Sequence, residues 1–227
     1  MRVDDLETLL NRLCASTVET SGVTGSAITL MVVGGLRSLA ASTGPVCGQL
    51  DQVQFTVGEG PGVDAFAGGA PVLEPDMMDG ARARWPVYAP AAHDLGARAV
   101  FALPLQVGAI NLGVLELYRD RPGSLSAQQF ASATAFAQAA VTIVLDDLAD
   151  TRSGTLDRRL DEILHFPSEV YQATGMLMVA LGVDPTEAFV RLRARAYAEG
   201  RSLTDEAEDV VAGRLRLTRD PAPEENL

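Results

Sequence analysis

The chain has 227 residues, 47% of them apolar, which is enough for one large or two modest domains with real cores. Its formal charge of −12 argues against broad attachment to nucleic acid or to anionic membranes. No apolar run approaches the length of a membrane span, and the acidic, amphipathic start MRVDDLETLLNRL is unlike a secretory signal, so a cytoplasmic location is expected. All 18 basic residues are Arg, a skew that most simply reflects a GC-rich coding sequence. Cys14 and Cys47 have no metal-ligand spacing and read as packing residues; no metal site is expected.

From Asp4 to about Thr20 the chain predicts a helix with Leu6, Leu9, Leu10, Leu13 and Val18 on one side. The run SAITLMVVGGLRSLAAS reads as two strands around Gly34 and Gly35, with Ile28, Leu30 and Val32 alternating. A short helix opens at Pro61 after Val57-Gly58-Glu59-Gly60, and another covers about Val87 to Leu95. AVFALPLQV, a turn near Gly108 and NLGVLELYR predict a second hairpin, after which a long helix runs from Ser126 to about Ala149. This order describes an α+β domain with one antiparallel sheet. On VGEGPGVDAF, on residues 84–126 and on the helix ending FAQAAVTIV, residues 1–150 resemble the GAF domain. The resemblance implies a cavity between the sheet and the irregular middle that, in different family members, holds a small-molecule effector, a chromophore or nothing.

Several residues here invite a catalytic or ligand-binding reading that their context does not support. Gly58, Gly60 and Gly62 do not form a dinucleotide fingerprint, because the last glycine comes one position early and no βαβ unit surrounds them. Trp85 reads as core, His93 as a helix-surface residue without a second ligand, and Glu59 with Asp64 as no catalytic pair. Neither cysteine is placed as a bilin attachment requires. No catalytic residue is assigned, and an enzyme is not expected.

In the long helix, Phe130, Ala133, Ala137, Val141, Val144 and Leu148 recur at three- and four-residue steps and read as a coiled-coil-like seam. Past Ser153-Gly154, Leu156, Leu160, Ile163 and Leu164 resume an apolar stripe, so residues 151–165 form a helical connector. Homodimerisation through this two-piece seam, with its register changed by the upstream domain, is the expected route for a signal.

Residues 166–216 predict three short helices. The first begins near Pro167 and Ser168 and stops at Gly182. Asp184, Pro185 and Glu187 open the second, which Gly200 ends, and Ser202 with Asp205 opens the third. Val170, Ala173, Leu177 and Leu181 share one face, as do Ala188, Phe189, Leu192 and Ala196, and then Leu203, Ala207, Val210 and Val211, so each stripe is buried by the other two. Packing leaves Arg191, Arg193, Arg195 and Arg201 over, and guanidinium groups pair with phosphates and stack on unpaired bases. An ion pair from Glu187 to Arg191 competes for one of them. Between residues 165 and 216 six Arg face eight Asp and Glu, a balance of about −2, so any nucleic-acid site is a local patch.

On Ala173, Gly175, Leu177, Met178, Ala188, Phe189, Leu192, Arg193, Ala196, Leu203, Ala207 and Val211, this segment resembles the ANTAR domain, a three-helix module that binds paired RNA hairpins in antitermination regulators. Thr174 departs from the basic residue the family usually carries there. The resemblance implies a regulator whose contacts with phosphates or loop bases come from Gln172, Thr174, Arg191, Arg193 and Arg201, with Gly175 allowing close approach. It also implies two subunits reading two hairpins, with tethering raising the affinity. The expected layout is a GAF-like sensor or dimerisation domain over 1–150, a connector over 151–165, an all-α ANTAR-like module over 166–216 and a disordered tail over 217–227. DNA is an unlikely partner because the third helix, with Asp205, Glu206, Glu208 and Asp209, is too acidic for a recognition helix. The competing reading is a dimeric, ligand-sensing protein-interaction module without RNA binding.

Overall fold

The computed structural model describes residues 5–31, 37–149 and 168–215. The turn at Gly34 and Gly35, the connector 151–165 with its apolar stripe, and the tail 217–227 lie outside the described residues. The chain divides into two compact units, 1–166 and 167–227.

In the first unit, α1 (Leu6–Ser21) is capped by Asp5, whose carboxylate accepts the Thr8 amide at 2.9 Å. Strands β1 (Gly25–Met31) and β2 (Arg37–Ser42) follow, then helices α2 (Pro45–Val57) and α3 (Pro61–Gly68), each with proline in its first turn. After the short β3 (Val72–Glu74) come α4 (Ala81–Arg84), α5 (Tyr88–Asp94), the hairpin β4 (Ala99–Val107) and β5 (Ile110–Arg119), and α6 (Ala127–Ala149). The five strands form one sheet in the order β2-β1-β5-β4-β3, with every neighbouring pair antiparallel.

Strand alternation sorts the side chains onto two faces, and both are covered. Ile28, Leu30, Phe101, Leu103, Leu115 and Leu117 pack against α1 and α6. Each of these side chains contributes roughly 1.5–3 kcal/mol by burial. On the other face, Val100, Ala102 and Val114 lie under α2 to α5, with Leu50, Ala65, Trp85 and Tyr88 above them.

The stripe along α6 read from sequence as an intermolecular seam packs inside its own domain. Ala133, Ala137 and Val144 are buried in the core with α1 and the sheet, and Phe130, Val141 and Leu148 lie against the same cluster. Spacing of three and four fixes an apolar face but not the partner it meets.

The second unit is α7 (Ser168–Leu181), α8 (Pro185–Ala198) and α9 (Leu203–Val211). Eleven of the twelve stripe residues are buried, and Val211 is half-buried. Asp184 accepts the Glu187 amide at 2.9 Å and Ser202 accepts the Asp205 amide at 3.1 Å, while Gly182 (φ 67°) and Gly200 (φ 61°) end the preceding helices in left-handed conformation. Glu187 does not complete a reciprocal capping box; its carboxylate pairs instead with Arg191 at 2.7 Å. Asp184→Ala removes the α8 cap and is expected to cost about 1 kcal/mol, seen in a thermal melt of the helical unit and restored by Asp184→Asn.

Candidate functional sites

The six side chains singled out for RNA contact do not share one environment. Gln172 and Gly175 lie on the solvent side of α7 with Met176 and Val179, the last 86% exposed, and a Cβ on Gly175 would meet nothing within 4 Å. Gly175 is therefore an open surface position and does not serve close helix packing. Thr174 is buried, and its hydroxyl donates to the Val170 carbonyl at 2.6 Å. It faces inward because it stands four residues from Val170 on the packed side, so it is removed from the contact set.

The guanidinium groups are all engaged within the unit. Arg191 pairs with Glu187, and Arg195 with Glu199 at 3.0 Å, both one turn apart. Arg193 lies over the Phe189 ring, 5.4 Å from its centroid. Arg201 reaches from the α8–α9 turn to Glu206 at 2.9 Å and Asp209 at 2.6 Å, and Asp209 also takes Arg214 at 2.5 Å. Glu206 is 1% exposed, so Arg201 compensates a buried carboxylate and positions α9. Over residues 168–215, five Arg stand against eight Asp and Glu, a net of −3.

In the first unit, a polar cluster sits between β5 and helices α2, α3 and α5. Glu116 of β5 takes the Gln54 amide at 2.8 and 3.0 Å, and Gln54 Oε1 accepts the Gly62 amide at 2.9 Å. Asp51 accepts the Thr29 hydroxyl at 2.8 Å, and Arg37, 4.0 Å from that carboxylate, donates to the Asp51 carbonyl at 2.6 Å. Burial first, and the Asp51 charge second, push the Glu116 carboxyl from its ordinary 4.5 up to about 7, against the Gln54 bond and the Arg37 charge. The adjoining cavity, lined by Ala27, Cys47, Tyr88, Glu116 and Tyr118 among others, has a volume of about 10 Å³, room for one water.

Glu59, Asp64, Trp85 and His93 have structural roles. Glu59 accepts the Val87 and Tyr88 amides at 2.6 and 2.9 Å at the start of α5. Asp64 accepts Trp85 Nε1 and Arg84, both at 3.1 Å, and Trp85 is 1% exposed in the core. His93 is half-buried on α5, where its carbonyl accepts Arg98. Cys14 and Cys47 are buried free thiols, and burial pushes Cys14 up to about 11 and raises Cys47, which disfavours the thiolate form of both. Among the described residues, no group of His, Cys, Asp and Glu could hold a metal ion, and no helix is long and apolar enough to cross a membrane.

A family model of the GAF domain matches residues 3–144, and one of the ANTAR domain matches residues 158–211. The chain belongs to the GAF family and carries an ANTAR domain behind it. Both are regulatory domains, and together they make the chain a sensory regulator. No curated protein matches it. Among solved structures, the GAF unit is similar to the GAF domain of a phosphoenolpyruvate-protein phosphotransferase from Coxiella burnetii, at 16% identity over 66% of this chain and 89% of that one, with a TM-score of 0.54. It is also similar to the GAF domain of the phosphoenolpyruvate-protein phosphotransferase from Acinetobacter, at 15% identity over 67% and 89%, with a TM-score of 0.51. At these identities the likeness concerns the fold.

The polar cluster of the GAF domain went unread in the sequence. Its one legible trace was Glu116 inside GVLELYR, an acidic residue in a strand whose neighbours on both faces are apolar.

Proposed function

We propose that this GAF–ANTAR chain is a cytoplasmic, homodimeric regulator that binds paired RNA hairpins through its ANTAR domain and favours transcriptional readthrough, under control of the GAF domain. The match of residues 158–211 to ANTAR carries this reading. In this mechanism the protein makes and breaks no covalent bond; holding two hairpins excludes a terminator stem. The exposed face of α7 with Gln172 and Gly175 meets loop bases, Arg191 and Arg193 meet phosphates by exchanging their internal partners, and Arg201 positions α9.

The test is binding of the full-length protein to a two-hairpin RNA, a single hairpin and a matched DNA duplex across a salt series. The two-hairpin RNA is expected to bind tightest, and Arg193→Ala to weaken it roughly tenfold and lower the salt slope by about one. Equal or absent binding to all three by folded protein would overturn this reading. That outcome would favour a dimeric protein-interaction module without RNA binding, which the engagement of every described ANTAR arginine and the net −3 also support.

A further inference from the structure

The cluster beneath β5 gathers more negative than positive charge in a dry place. Arg37, Asp51 and Glu116 are 4%, 7% and 8% exposed, so one cation faces two carboxylates. A single bound proton removes the excess, and the surroundings decide which carboxylate takes it. Asp51 already has a hydrogen bond from the Thr29 hydroxyl and the Arg37 guanidinium 4.0 Å from its carboxylate. Glu116 is hydrogen-bonded only by neutral groups: the Gln54 amide bridges both of its oxygens, and the Gly62 backbone lies against its carboxyl, where a Cβ on Gly62 would be 2.9 Å away.

We infer that Glu116 is a proton-binding site through which the GAF domain responds to pH, with Gln54 and the adjoining Gly62 amide carrying the change into the α2–α3 turn. Gln54 can do this because its orientation is fixed. Its Oε1 must face the Gly62 amide, which only donates, so its Nε2 must face Glu116. An ionised Glu116 offers two charged acceptors to that amide and holds the bridge tightly. A proton taken from solvent turns one acceptor into a hydroxyl donor, neutralises the cluster and weakens the bridge. The new donor has an acceptor at hand in Tyr88, whose hydroxyl is buried without a hydrogen-bond partner among the described residues and lines the same cavity.

The groups that face Glu116 are Asp51 and Cys47 of α2, Arg37 of β2, Tyr88 of α5, and Tyr118 further along β5. The adjoining strands place only Ala27 and Ala102 opposite it, and α3 presents the Gly62 backbone. The upward shift of the Glu116 carboxyl to about 7 agrees with this arrangement. Because the folded-state value lies above the unfolded one, the folded domain keeps a proton that the unfolded chain has released between about pH 4.5 and 7. Stability is therefore full below that window and falls as pH rises through it. This proton site stands apart from RNA binding and remains testable if the RNA reading fails.

The experiment is an NMR titration of the full chain, carboxyl-labelled at glutamate and amide-labelled throughout, from pH 5 to 9, with both reporter resonances assigned in the unaltered protein. Glu116 is expected to titrate near 7 against about 4.5 for exposed glutamates, with the Gly62 amide moving at the same midpoint. In Glu116→Gln the Gly62 response disappears, and the fall in unfolding temperature between pH 5 and 7 is smaller than in the unaltered protein. Titration of Glu116 together with the exposed glutamates, or a Gly62 amide that does not follow it, would overturn the inference.

Discussion

Leu192→Ala is expected to unfold the ANTAR domain, and with it to abolish the RNA binding proposed above, while the GAF domain stays folded. Leu192 is wholly buried among the three helices, one turn from both Ala188 and Ala196, which are too small to move into the space it leaves. Deleting a buried leucine side chain costs roughly 2–5 kcal/mol, and a domain of this size holds only about 3–5 kcal/mol in total. The comparison is between thermal melts of the full chain followed by helical circular dichroism and RNA binding at the same temperature. The helical amplitude of the ANTAR domain should vanish from the 25 °C baseline while the GAF transition keeps its midpoint. An unchanged melt would mean that α7 and α9 close over the gap.

Gly113→Ala should damage the GAF domain by a different route. Gly113 sits in the central strand β5, opposite Leu30 of β1 and Leu105 of β4, and the β4–β5 register shifts just beyond Leu105. A Cβ there would overlap the Thr29 carbonyl oxygen and lie 2.9 Å from the Leu30 Cα. These are backbone atoms held by the β1–β5 ladder, so no rotamer change relieves the overlap. Overpacking a core costs about 1–3 kcal/mol, and a clash with backbone belongs at or above the upper end. Chemical denaturation should show a lower midpoint for the GAF transition, and amide exchange should quicken in β1 from Ala27 to Leu30. Unchanged protection of those amides would mean that β5 shifts as a unit and the overlap is harmless.

The ANTAR half was legible because its signals are local. Asp184, Ser202, Gly182 and Gly200 mark helix ends within four residues of the groups they satisfy, and the three apolar stripes predicted the core formed by buried side chains such as Phe189 and Leu203. In the GAF half, both hairpins, α1, α3, α5 and α6 also followed from pattern. Helix α2 did not. Its buried residues are Cys47, Leu50, Asp51, Gln54 and Phe55, two of the five polar, and its sequence carries Gly48, Val53 and Thr56, which favour other conformations. The same two polar residues belong to the Glu116 cluster, so one departure from apolar periodicity concealed both an element and a site. The contact set for RNA was read from type and position, and a one-dimensional pattern could not tell that Thr174 turns inward or that Arg201 bridges to a carboxylate five positions away.

Helix α5 has a cap that lies far from it in the chain. Its first amides are satisfied by Glu59, 28 and 29 residues earlier, and it is only seven residues long. A helix of that length does not persist alone in water, so α5 has no independent existence until the α2–α3 turn has docked. Folding order is thereby partly prescribed: closure of a loop of nearly thirty residues must precede α5, and local opening of the turn must release it. The segment 58–62 and α5 are thus expected to open together in hydrogen exchange, although neither is adjacent to the other in sequence.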